Sequence, residues 1–80
     1  MGYKRTDPAE GAASVTPSDS DDLAIPTRAV YVGGAGNLRV TMLNGTTVTF
    51  TGVAAGSVLP IRVSRVLSTS TTATSIVALY

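Results

Sequence analysis

The 80-residue chain contains no cysteine, no histidine and no tryptophan. Without cysteine there is no disulfide and no thiolate nucleophile or metal ligand. Without histidine the usual zinc, copper and non-haem iron ligand sets are missing, and so is the side chain best suited to proton transfer near neutral pH. Charge is scarce as well. Charged residues make up 14% of the chain, against about 25% in ordinary soluble domains. The net charge is +1, the pI is near 8.2 and the mean hydropathy is +0.30. That balance sets up no strong field toward nucleic acid or an anionic membrane. No apolar run is long enough to span a bilayer, and "MGYKRTDPAEGAAS" lacks the apolar core of a signal peptide.

A chain this short buries only about 60–65% of the surface its unfolded form exposes, so its core is marginal. Disulfides, a metal or oligomerisation usually supplement such a core. The first is excluded and the second has no evident ligands, which leaves oligomerisation. A weakly charged, apolar chain that does not enter membranes has surface for neighbouring subunits to hide.

Residues 1–13 mix Gly, Pro and charge without periodicity and read as an N-terminal arm, with a single β domain over 14–80. Pro17 and Pro26 bracket a turn-rich segment holding Asp19, Asp21 and Asp22. It lacks the alternation, central glycine and bidentate glutamate of a calcium loop, so turn and capping roles explain the acids. From Arg28 onward the chain is strand-like. "RAVYV" stops at Gly33-Gly34-Ala35-Gly36, which reads as a hairpin loop. It is no phosphate-binding loop, because another strand follows and no lysine does. "LRVTML" alternates, and Asn44-Gly45 predicts a hairpin with a type I′ turn. "TTVTFTGV" returns, with Tyr31 and Phe50 assigned to the core. "SVLPIRVSRVL" and "SIVALY" complete the set. Five or six short strands, rich in Thr and Val and joined by tight turns, predict an all-β fold, a small antiparallel sandwich or barrel.

The stretch from Val58 to Leu67 breaks the simple pattern. Leu59, Ile61 and Val63 suit one face, directed to the chain's own core. Val58, Arg62 and Val66 occupy the other, and Arg65 intrudes on the apolar side. Pro60 belongs at an edge, a bulge or a strand start, and a bulge would reconcile Arg65 with the alternation. Val58, Arg62, Arg65 and Val66 are therefore candidate subunit-interface residues, since arginine is common in interfaces. In the C-terminal "IVALY", five consecutive apolar residues leave neither face polar. Ile76, Val77, Leu79 and Tyr80 join the candidates. Arg28 and Arg39 fit ordinary ion pairing. All five acids lie between Asp7 and Asp22, away from the strands, so no carboxylate pair is placed for catalysis. No enzyme, cofactor or metal site is expected.

The pieces "TPSD" at 16–19, "TRAVYVG" at 27–33, "AGSVLPIRVSRVL" at 55–67 and "TTATSIVALY" at 71–80, in that order and spacing, resemble the head-spike base proteins of gene transfer agents and related small vertex or decoration proteins of tailed phages. The likeness covers residues 14–80. Relatives often carry Gly where this chain has Ser70. The resemblance implies a structural virion protein on the outer surface of the capsid, a homo-oligomer with a pentamer favoured over a trimer. Its implied partners are the major capsid protein and, where one is carried, a spike or fibre protein, with no nucleic acid and no membrane. The arm, through Tyr3, Lys4, Arg5 and Pro8, would then touch the capsid. A trimeric cement protein, or a small glycan-binding module of a tail fibre, are the alternatives.

Overall fold

The computed structural model describes residues 8–80 and contains seven strands: β1 (Ala12–Ser14), β2 (Ala29–Gly34), β3 (Gly36–Met42), β4 (Thr47–Val53), β5 (Ser57–Leu59), β6 (Val63–Val66) and β7 (Thr74–Leu79). They form two antiparallel sheets, one ordered β1-β7-β2-β5 and the other β4-β3-β6. Val30, Val32 and Ile76 of the first sheet meet Leu38, Val40, Val53, Val63 and Val66 of the second in one core. The all-β fold expected from the strand spacing, a sandwich or a barrel, is observed as two sheets packed face to face.

The β3–β4 hairpin forms where Asn44-Gly45 places it, but with different turn geometry. The Gly45 N–H donates to Met42 O at 2.8 Å, and Met42 N–H to Thr46 O at 2.7 Å. Gly45 has φ +95°, whereas Asn44 is not among the residues with positive φ. This is a three-residue loop closed by a left-handed glycine, not the two-residue type I′ turn, which requires positive φ at both central residues.

Two chain crossings depart from the sequence reading. The glycine cluster is a corner between sheets: β2 ends in the first, Ala35 turns, and β3 begins in the second. Glycine is required there by close approach, since a Cβ on Gly36 would come within 2.6 Å of the Ala73 backbone nitrogen. The two-faced stretch 58–67 is likewise not one strand. Ser57–Leu59 is an edge of the first sheet and Val63–Val66 an edge of the second, with Pro60 in the passage between them. Its apolar residues point two ways because the chain changes sheets. Within β6 the register slips between Thr41 and Met42, which face Arg65 and Val63, leaving Ser64 as the extra residue. That bulge lets Val63 and Val66 both face the core and turns Arg65 outward.

The acidic segment before β2 runs along β6 and closes that side of the sandwich. Leu23 packs on the core, and Thr27, fully buried, links β6 to the start of β2. Its hydroxyl donates to Ile61 O at 2.9 Å and accepts from Val63 N–H at 3.0 Å.

Candidate interaction surface

Where β2 and β7 pair at the centre of the first sheet, inward and outward residues alternate. Val30, Val32, Ile76 and Ala78 are buried, so Ala29, Tyr31, Val77 and Leu79 face out. Registers then align them across strands. Tyr31 lies between Val58 of β5 and Val77 of β7, and Val77 pairs with Ser14 of β1. Leu79 lies between Ala29 and Ala12. The outer face of this sheet is thus an uncharged, mainly apolar ladder, with Val58 54% and Tyr31 36% exposed. Beside the ladder, Ser75 and the Tyr31 ring close over Gly33. A Cβ on Gly33 would sit 2.8 Å from the Ser75 Cβ and 3.4 Å from the Tyr31 ring.

The outer face of the second sheet has the opposite character. Leu38 and Val40 are buried, so Arg39 and Thr41 face out. They pair with Thr49 and Thr47 of β4, and Thr41 also with Arg65 of β6. Threonine and arginine cover it, and the Thr41 and Thr47 hydroxyls lie 3.4 Å apart.

Asp19 and Asp22 are engaged within the subunit. Ser18 Oγ accepts the N–H groups of Ser20 and Asp21 at 3.3 and 3.2 Å. Asp22 Oδ1 pairs with Arg65 Nε at 2.8 Å, and Arg65 Nη1 donates to Asp19 O. The Asp19 carboxylate accepts from the Thr69 hydroxyl and from its N–H at 2.9 Å. These bonds from Thr69, the hydroxyl first, hold the Asp19 carboxyl below the usual aspartate value. Among the described residues no cluster of acids gathers to hold a metal.

The expected interface residues separate accordingly. Val58, Val77 and Leu79 share the apolar outer face. Val66 and Ile76 do not: at 2% and 3% exposure they fill the subunit's own core, because the bulge turns Val66 inward and the alternation of β7 does the same for Ile76. Arg65 is held by Asp22. Tyr80 is half-buried against Gly11, where a Cβ would fall 2.5 Å from its ring. With Ala13, Leu23 and Ile25 it lines a cleft of about 190 Å³. Arg62 lines a separate open groove of about 500 Å³ with Met42, Leu43, Pro60 and Ile61. Tyr31, assigned to the core from sequence, is the centre of the exposed ladder. "VYV" is apolar at all three positions, so its pattern does not reveal which face meets water. Of the expected arm contacts, Pro8 is exposed and its carbonyl accepts from Arg28 Nη1 at 3.1 Å. Tyr3, Lys4 and Arg5 lie outside the described residues.

The fold is a small all-β sandwich with one apolar and one polar outer face. No protein-family model matches the chain, nor does any curated protein. Among solved structures, a chain from "Capsid of native GTA particle computed with C5 symmetry" is 43% identical, with a TM-score of 0.87. The match covers 99% of this chain and 92% of that one. The chain belongs to the family of that capsid component of gene transfer agent (GTA) particles.

Proposed function

We propose that this protein is a structural component of a phage-like virion, a pentameric ring seated on the outer surface of the capsid at its five-fold vertices, where it forms the base of a head spike. The carrying observation is the ladder Val58–Tyr31–Val77 on the solvent side of a sheet, in a chain so similar to a GTA capsid component. Contiguous exposed apolar residues mark surfaces that are covered in function. We assign Val58, Val77 and Leu79, with Tyr31, to the surface buried on assembly. The Thr/Arg face of the second sheet is left to water or to a spike. The C5 symmetry used for the similar particle supports a five-fold position. Pro8 and the segment before it, with Tyr3, Lys4 and Arg5, remain the proposed capsid contact. The function is one of contact and requires no catalysis.

Light scattering over a dilution series, together with incorporation into particles, tests this reading. A pentamer is expected, and Val58→Asp or Val77→Asp should abolish incorporation while Ala55→Asp, in an exposed turn, leaves it intact. A trimer would favour a cement protein, and equal incorporation of all three variants would remove the ladder from the interface.

A further inference from the structure

Open sheets have edges, and natural proteins shorten, cover or charge them to prevent unwanted pairing. Here the four edges are β1 and β5 in the first sheet, and β4 and β6 in the second. The segment before β2 covers β6: Ser18, Leu23 and Thr27 donate their N–H groups to Val66 O, Ser64 O and Val63 O at 2.9, 2.8 and 3.3 Å. β5 is three residues long and ends at Pro60, which cannot donate to a ladder.

β4 is not shortened, covered or charged, and its bulge at Thr51-Gly52 leaves residues 47–50 a regular edge. It runs seven residues, Thr47–Val53, without charge or proline. Its backbone orientation follows from its partner. Arg39 donates its N–H to Thr71 Oγ1 at 3.0 Å and accepts from Leu67 N–H at 2.9 Å. Both Arg39 backbone groups therefore point away from β4. Thr49, its register partner, is then in a non-hydrogen-bonded pair and directs its own N–H and C=O to the free edge, as does Thr47 two residues earlier. Among the described residues no backbone partner meets them there.

β1 is complementary. Gly11 and Tyr80 exchange backbone hydrogen bonds of 2.7 and 2.9 Å, so Ala12 and Ser14, one and three residues on, turn their N–H and C=O away from β7. Consistently, Leu79 O, opposite Ala12, accepts from Arg28 N–H at 2.7 Å on the far side. All three β1 residues are small, uncharged and exposed, so no bulky β1 side chain stands in the way of a second backbone.

A cyclic ring of more than two copies joins two different surfaces of neighbouring subunits. With β6 covered and β5 followed at once by a proline that cannot extend a ladder, a block β1 of the same length lacks, β4 and β1 are the two edges left to meet. We infer that β4 of one subunit pairs through Thr47 and Thr49 with Ala12 and Ser14 of the next copy. Three strands of one subunit and four of its neighbour then become one continuous sheet, repeated around the ring. This inference rests on the ring proposed above and names its contact.

The chain has no cysteine, so paired thiols report the contact cleanly. In the full-length protein, Thr49→Cys/Ala12→Cys and Thr49→Cys/Ser14→Cys, oxidised or treated with a short bis-maleimide, should give a ladder of covalent multimers up to the ring on non-reducing denaturing gels. Each single variant should remain monomeric on the same gels. Thr49→Pro, which removes an outward N–H, should stay folded by circular dichroism yet lose the ring. Dimers from Thr49→Cys alone would show two-fold β4–β4 pairing and overturn the inference. So would a ring, seen by light scattering, whose double variants do not cross-link. A parent protein that stays monomeric at every concentration would overturn the ring, and this pairing with it.

Discussion

The Thr27 hydroxyl accepts the Val63 backbone N–H at 3.0 Å in a fully buried position. It also donates to Ile61 O at 2.9 Å, so one side chain satisfies a donor and an acceptor where the chain enters β6. Thr27→Val keeps the shape but strands both backbone groups. The expected cost is about 1–3 kcal/mol, a large share of the roughly 4–12 kcal/mol available to a domain of this length. Urea unfolding checks it, and an unchanged midpoint would mean that water replaces the hydroxyl.

Acid should loosen the tie between the segment before β2 and the β6–β7 loop. Thr69 favours the charged form of Asp19, so the folded state binds this proton less readily than the unfolded chain. The stabilisation is complete above the ordinary aspartate value, about 3.9, and is lost as pH falls through the lower folded value. Melting temperatures of wild type and Asp19→Asn, compared from about pH 6 to pH 2, should converge at the acid end. Parallel curves would show that Asp19 carries no such linkage.

At the corner between sheets, Gly36→Ala would press a methyl group against the Ala73 nitrogen and the Thr72 carbonyl carbon, at 2.6 and 2.7 Å. These are backbone atoms, which cannot swing aside as a side chain would. A loss of about 1–3 kcal/mol is expected, measured by denaturant midpoint. Gly45→Ala, whose Cβ would meet nothing within 4 Å, carries only the cost of its positive φ and should lose less. The reverse order would place the constraint in the hairpin instead.

How far the sequence could be read depended on where a residue's environment was decided. The β3–β4 hairpin was legible because Asn44-Gly45 acts locally. The β6 bulge was legible because Val63 and Arg65, two residues apart, could not both sit on the apolar face of one regular strand. Sheet membership was not. Nothing near Ala35 or Pro60 states that the next strand joins a different sheet, since that depends on which distant strands pair. β1 was hidden for a related reason: Ala12, Ala13 and Ser14 carry no alternation and are held by backbone bonds to β7. The exposed ladder suffered most. Tyr31 is apolar between two buried valines, and only its register with Val58 and Val77 reveals a solvent face.

Val66 and Val58 provide the sharpest contrast between core and surface. Both are apolar, and both follow from the same two-faced stretch of sequence. Val66 is 2% exposed on β6, beside Val40 of β3, whereas Val58 is 54% exposed on β5. Val66→Asp buries a carboxylate among Val40, Val63 and other core residues. More than about 4 kcal/mol is at stake, enough to unfold a domain this small. Val58→Asp should change the isolated subunit's stability by no more than about 1 kcal/mol, because its carboxylate stays in water. Circular dichroism melts of the two variants separate these effects before any assembly assay is run. If Val58→Asp also unfolds the subunit, the apolar ladder supports the fold itself, and its loss from particles would say nothing about the capsid.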